Sequence, residues 1–229
     1  MSIQLVANGC SFTQQHHLPK EHRWTTLCGV DVNLGFGGGS NDRIFYTTIE
    51  YLNQHRPKTL IIGWTLLDRF MMPKSNGSRA IITPWHSFDE NLGGDDTNLA
   101  DFYFRNCHNE FSSLERMLNY MLFIQDLCKV LDIKLLYFNA YPNPIDEKTL
   151  GIIAKKSFIR DDLRSQGVAS VDLSKKHLQK MIDRLDKDIW IKEFWYSMHE
   201  HCEHLPKEKD GHPNIDGSAY WADLVKQYL

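Results

Sequence analysis

A layered α/β fold built on a mostly parallel sheet of five strands is what this sequence predicts, and two observations carry the prediction. Short apolar runs alternate along the chain with segments of helical period, the order expected when a helix carries the chain back between parallel strands. Two of the runs, TLIIGW at 59–64 and KLLYFNA at 134–140, are almost free of polar residues, as strands covered on both faces must be.

Taken in order, IQLVANG (3–9) and VDVNLGF (30–36) are short runs rich in β-branched residues, which suit a pleated surface. Residues 40–55 open on Ser40, whose hydroxyl suits a helix N-cap, and place Ile44, Tyr46, Thr48, Ile49 and Leu52 near one face. Residues 65–106, rich in Asn, Gly, Asp and Pro, hold no sustained period. A stretch of that length without regular elements is expected to be a lid, a binding loop or a disordered insertion. From Asn109 to Leu131, Phe111, Leu114, Leu118, Met121, Leu122, Cys128 and Leu131 recur at helical spacing, predicting the most regular helix of the chain. After KLLYFNA the pattern predicts a helix over 147–166, a fifth strand at VASVDL (168–173) and a last helix from Asp216 to Tyr228. No repeat, low-complexity tract or linker divides the chain. One domain over residues 1–229 is expected, with 65–106 as an irregular insertion.

Composition excludes several classes of function. A length of 229 residues with 42% hydrophobic content supports one sizeable core. The net charge of −3, with no stripe of Lys and Arg, leaves no electrostatic footprint for nucleic acid. The N-terminus lacks a basic segment followed by a long apolar one, and no run nears the roughly 18 apolar residues of a membrane span. A cytoplasmic protein without membrane contact is expected. Five cysteines, at 10, 28, 107, 128 and 202, form no disulfide framework and are expected as reduced thiols.

The chemistry-bearing residues lie at the two ends of the chain. VANGCSFT (6–13) puts Ser11 just past the carboxyl end of the first strand, the edge at which α/β sheets gather ligands. Taken alone, Cys10, Ser11 and Thr13 also suit a plain turn and cap. A serine hydroxyl becomes a useful nucleophile when an imidazole takes its proton and a carboxylate orients that imidazole. KDGHPNIDGSAYWADLV supplies both, with Asp210 and His212 two apart ahead of the last helix; Asp-Gly and His are also ordinary turn residues.

NGCSFT, FGGGSNDRI, IIGWT and DGHPNIDG, in that order over residues 8–217, resemble the four blocks of the SGNH hydrolases, the GDSL-type esterases and lipases. The resemblance implies a flavodoxin-like, three-layer α/β/α fold and ester hydrolysis through an acyl-serine, with no cofactor. It implies Ser11 as nucleophile, His212 as general base and Asp210 as its orienting carboxylate. It also implies an oxyanion hole from the backbone N–H groups of Ser11 and Gly38, where a glycine lets the substrate approach closely. Two departures stand out. The third block of the family reads Gly-x-Asn, whereas Gly63 and Trp64 are followed here by Thr65, whose hydroxyl can donate one bond. The fourth block of the family places Asp three before His, whereas that position is Lys209 here.

Other features are less specific. Arg43 and Arg69 follow the second and third blocks and could hold a substrate carboxylate or phosphate, or a structural ion pair. Trp85 in the irregular segment suits a substrate pocket or a packed lid. His199, His201, Cys202, His204 and His212 crowd one stretch, but their spacing matches no zinc motif, so no metal is expected. The leading expectation is a serine esterase acting on a small or carbohydrate-borne ester such as an O-acetyl group. An acyltransferase on the same site, or a non-catalytic carbohydrate-binding domain of the same fold, stays open.

Overall fold

The structure, a computed structural model, describes residues 4–73, 79–84, 95–142, 150, 152–153, 170–194 and 196–229. Along the chain the elements are β1 (Leu5–Asn8), α1 (Ser11–Gln14), α2 (Trp24–Leu27), β2 (Val32–Asn33), α3 (Asn41–Gln54), β3 (Thr59–Trp64), β4 (Phe70–Pro73), β5 (Arg79–Ile82), α4 (Asp95–Asn106), α5 (Glu110–Val130), β6 (Lys134–Asn139), α6 (Ser170–Asp183), α7 (Met198–His201) and α8 (Ile215–Lys226). They belong to two compact units, one of Met1–Leu66, Ile124–Asn143 and Lys187–Leu229, the other of Leu67–Phe123 and Pro144–Asp186.

The first unit is built on a sheet of order β2-β1-β3-β6, parallel throughout, with Ala7 beside Ile61 and Ile61 beside Leu136. The continuous apolar runs sit at β3 and β6 because both faces of the sheet are covered. On one face Leu5, Ala7, Ile61, Leu136 and Phe138 pack against Trp24 of α2 and Trp221, Leu224 and Val225 of α8. On the other, Asn8 is fastened to α3: its Nδ2 lies 3.0 Å from Ile44 O, 2.9 Å from Thr47 Oγ1 and 2.9 Å from Thr48 Oγ1. Helices on both faces make the three α/β/α layers.

The helix boundaries follow local chemistry. Ser40 caps α3, its Oγ accepting the Arg43 N–H at 3.2 Å, and Asn214 caps α8 by accepting the Gly217 N–H at 3.0 Å.

The strand count is corrected from five to four in this sheet, among the described residues. The expected strand at VASVDL is instead the start of α6 from Ser170 on, with 168–169 outside the described residues. The helical period wins because the buried positions that follow, Ser174, Leu178, Met181 and Leu185, repeat every three or four residues. The edge beyond β6 is met instead by an irregular segment, through parallel bridges of Tyr137 with Trp190 and of Asn139 with Ser197. The helix expected over 147–166 falls outside the described residues except for Leu150, Ile152 and Ile153, which are helical.

In the second unit, part of the stretch read as irregular is ordered. β4 and β5 pair antiparallel, Phe70 opposite Ile82, and Phe70 stacks on Tyr103 of α4 with centroids 4.7 Å apart. Ile82, Ala100 and Tyr103 form a small core there.

Asn8 offers a test of how the sheet holds α3. Its Oδ1 also accepts the Gly9 N–H at 2.8 Å, so the buried amide uses both ends. Asn8→Ala is expected to cost about 1–3 kcal/mol, the penalty for leaving such partners unpaired, read as a lower denaturant midpoint at unchanged slope. An unmoved midpoint would contradict the role given to Asn8.

Candidate active site

Ser11 and His212 meet although 201 residues separate them: Ser11 Oγ lies 2.7 Å from His212 Nε2. Ser11 is the first residue of α1, three residues past Asn8, the end of β1. His212 lies in a turn whose arms are tied by an antiparallel bridge of Lys207 with Pro213 and by the Glu208 N–H donating to His212 O at 2.9 Å. The imidazole is flanked by Phe12 and His17, with ring centroids 5.0 and 5.1 Å away. His17 is itself fixed, because Nε2 lies 3.2 Å from Pro213 O and a carbonyl can only accept, which places the proton on that nitrogen.

Asp210 completes the line. Its Oδ1 lies 2.9 Å from His212 Nδ1 and accepts the His212 main-chain N–H at 3.2 Å. The ring contact is short in distance but oblique in direction. Gly211 makes the two-residue spacing possible: at φ +82 it turns the chain so that the carboxylate reaches back over it, a conformation that glycine adopts without strain. Partial burial pushes the Asp210 carboxyl up, but hydrogen bonds from the His212 ring and main chain outweigh it, helped by the charges of His212 and His17. The net result is a pKa below the ordinary aspartate value. Asp210 therefore carries its charge throughout the range in which an imidazole titrates. A carboxylate only accepts, so it favours the tautomer with the proton on Nδ1, leaving the Nε2 lone pair for the Ser11 hydroxyl.

The turn after β2 is defined by what its N–H groups do. Gly35 donates to Asn33 Oδ1 at 2.9 Å, Phe36 to Gly9 O at 3.0 Å, Gly37 to Gln14 Oε1 at 2.7 Å and Gly39 to Phe36 O at 2.9 Å. Gly38, between them, has no acceptor for its N–H among the described residues. It adopts φ +73, and among the described residues no atom outside Gly38 and its two chain neighbours lies within 4 Å of where a Cβ would be. The same turn lies against the segment that carries Ser11, since a Cβ on Gly39 would come within 3.6 Å of Cys10 Cα.

Thr65 follows β3. Asn41, at the start of α3, takes the Thr65 N–H on Oδ1 at 2.9 Å and donates Nδ2 to Thr65 O at 3.1 Å. Its side-chain amide thus does the work of a missing strand partner. The Thr65 hydroxyl is fully buried and has no partner among the described residues, which calls for an explanation in a folded protein.

The remaining residues singled out from the sequence have other surroundings. Arg43 donates from a guanidinium nitrogen to Leu34 O at 3.2 Å and lies over the Phe36 ring, 4.4 Å from its centroid, so it braces the glycine turn. Arg69 is buried in the second unit. Trp85 is outside the described residues. Cys10, the neighbour of Ser11, points into the hydrophobic core.

The His-rich stretch disperses. His199 Nε2 lies 3.2 Å from Lys207 Nζ, His201 Nδ1 lies 3.0 Å from the Tyr196 hydroxyl, and Cys202 Sγ donates to Gly217 O at 3.3 Å. Burial pushes the Cys202 thiol up to about 12. Gln14, Asn41 and His17 are the residues near the candidate site that sequence reasoning missed.

No protein-family model matches the chain, and no curated protein matches it. Solved structures do. TesA is 11% identical over 99% of this chain and 97% of its own, with a TM-score of 0.52. LAE5, an alpha/beta hydrolase enzyme from the metagenome of Lake Arreo, Spain, is 12% identical over 98% of this chain and 94% of its own, with a TM-score of 0.50. The psychrotrophic esterase EstA from Pseudoalteromonas sp. is 11% identical over 100% and 99%, with a TM-score of 0.48. At these identities the likeness to TesA and LAE5 is one of fold: the chain has the same layered α/β architecture over nearly its full length.

Proposed function

We propose that this protein is a serine hydrolase of the SGNH type, an esterase that cleaves a small or carbohydrate-borne ester, such as an O-acetyl group, through an acyl-serine intermediate. A fold alone assigns no chemistry. The observation that carries the reading is the 2.7 Å approach of His212 Nε2 to Ser11 Oγ, with Asp210 on the other ring nitrogen.

In the proposed reaction Ser11 Oγ bonds to the acyl carbon as His212 Nε2 takes its proton. The imidazolium, opposite the Asp210 carboxylate, then gives that proton to the leaving alkoxide oxygen as the ester C–O bond breaks. His212 Nε2 then takes a proton from water as the water oxygen bonds to the acyl carbon. It gives that proton to Ser11 Oγ as the acyl–Oγ bond breaks, which frees the acid and restores the serine. The carbonyl oxygen becomes negative in each tetrahedral intermediate and needs fixed donors. The proposed donors are the Ser11 N–H, the Gly38 N–H and the Thr65 hydroxyl. The unused Gly38 N–H and the partnerless buried Thr65 hydroxyl support that choice.

Hydrolysis of a chromogenic acetyl ester, followed by an acetylated sugar, is the direct test. Turnover by the wild-type chain that is lost in Ser11→Ala supports the reading, and a wild-type chain that binds a sugar ester without cleaving it makes this a binding domain. Faster loss of ester when a free sugar is added marks a transferase. For Thr65, replacement by Val keeps the shape and removes the donor. Thr65→Val is expected to lower kcat about tenfold to a thousandfold with KM little changed. A kcat unmoved by Thr65→Val would leave the hole with backbone donors alone.

A further inference from the structure

We propose that Gln14 is a positioning residue for the oxyanion turn: its side-chain carbonyl fixes the residue directly ahead of the Gly38 N–H against the helix that carries Ser11. The inference rests on the serine-esterase reading above.

Three consecutive glycines, Gly37 to Gly39, bring no side chain with which to pack, and such a stretch loses more conformational freedom on ordering than any other. Its placement therefore depends on what its main chain bonds to. Gln14 meets that need from the last position of α1, three residues after Ser11 and so close to one turn along the same face. Its Oε1 accepts the Gly37 N–H at 2.7 Å. A main-chain N–H can only donate, so the oxygen end of the amide must face it.

The fit is close: a Cβ on Gly37 would lie 3.2 Å from that oxygen, and a Cβ on Gly35 would lie 2.8 Å from the Gln14 main-chain nitrogen. With the Gly37 and Gly39 N–H groups both engaged, the Gly38 N–H is the one of the three left for a ligand among the described residues. Nucleophile and oxyanion donor are thus held in one frame by a side chain that itself touches no reacting atom.

The test replaces Gln14 by Met, which keeps the length and removes the acceptor, and by Glu, which keeps an acceptor oxygen at the same reach. Gln14→Met is expected to lower kcat on an acetyl ester about tenfold to a hundredfold with KM nearly constant, the pattern of a displaced transition-state donor. Gln14→Glu is expected to recover part of that loss. An unchanged kcat in Gln14→Met, a loss that falls on KM, or an equal loss in both variants would overturn the proposal.

Amide hydrogen exchange in the wild-type chain gives a reading that does not depend on the variants folding. The Gly37 amide should be protected and the Gly38 amide should exchange freely; equal, fast exchange at both would overturn the proposal. The parent reading fails separately, by turnover that persists in Ser11→Ala. If Ser11→Ala is inactive while Gln14→Met keeps full kcat, the positioning role alone is wrong.

Discussion

Ser11→Ala is expected to lower ester turnover by about ten thousandfold or more, because Ser11 is the proposed nucleophile and its loss removes the whole proposed covalent route at once. Its effect on stability is expected to be small. The substitution deletes one hydrogen bond, to His212, worth about 1 kcal/mol, or roughly 2–4 °C of thermal midpoint for a chain of this size. Cys10→Ala should behave in the opposite way. Cys10 is fully buried in the core that contains Phe12, Trp24 and Trp221, so its truncation leaves a small cavity and costs stability while turnover persists. Turnover that follows Cys10 rather than Ser11 would mean thiol chemistry.

The second large effect belongs to the His212 and Asp210 pair. His212→Ala should remove nearly all turnover, since no other base stands against Ser11 Oγ among the contacts described for it. Asp210→Asn is expected to do less, for a reason visible in the geometry. The Asp210 side chain is 61% exposed against 15% for His212, so its charge acts partly through solvent. The loss should still reach orders of magnitude, because an amide can present either end to Nδ1 and so releases the tautomer.

The pH profile separates this from simple disruption. His212 must be neutral to accept the Ser11 proton, so turnover rises with pH as the imidazole deprotonates. Asp210 is held below its ordinary value and is already charged there; removing that charge destabilises the imidazolium and moves the rising limb to lower pH. A limb that stays in place in Asp210→Asn would show that the carboxylate does not act on the ring.

Legibility from sequence divided along physical lines. TLIIGW and KLLYFN read as buried strands because both faces are covered, and α5 read as a helix because its apolar residues keep one period over Glu110–Val130. VASVDL misled because its β-branched residues suggest a strand locally, while the helical stripe that decides the element lies further on, from Ser174 to Leu185. The pairing of β4 with β5 is hidden in a segment whose polar residues mask two four-residue strands.

Ser11, Asp210 and His212 were visible because each sits in a short block with a recognisable order, and the fold brings them together. Gln14 and Asn41 were not. Their partners, Gly37 and Thr65, are 23 and 24 residues away, and a side-chain amide carries no sequence mark of the backbone group that it will meet. The sequence leaves Arg43 open as a substrate cation or an ion-pair member, and the contacts the structure gives its guanidinium are the Phe36 ring and the Leu34 carbonyl. No pattern of charge in the sequence distinguishes those uses.

On the proposed reading Ser11 is a nucleophile activated by His212. That role is tested most directly by treating the protein with a fluorophosphonate and locating the adduct by peptide mass spectrometry. One phosphonyl group is expected on the Ser11 Oγ of the wild-type chain, formed much more slowly in His212→Ala. An adduct on Cys10, or ester turnover that survives with Ser11 unmodified, would contradict it.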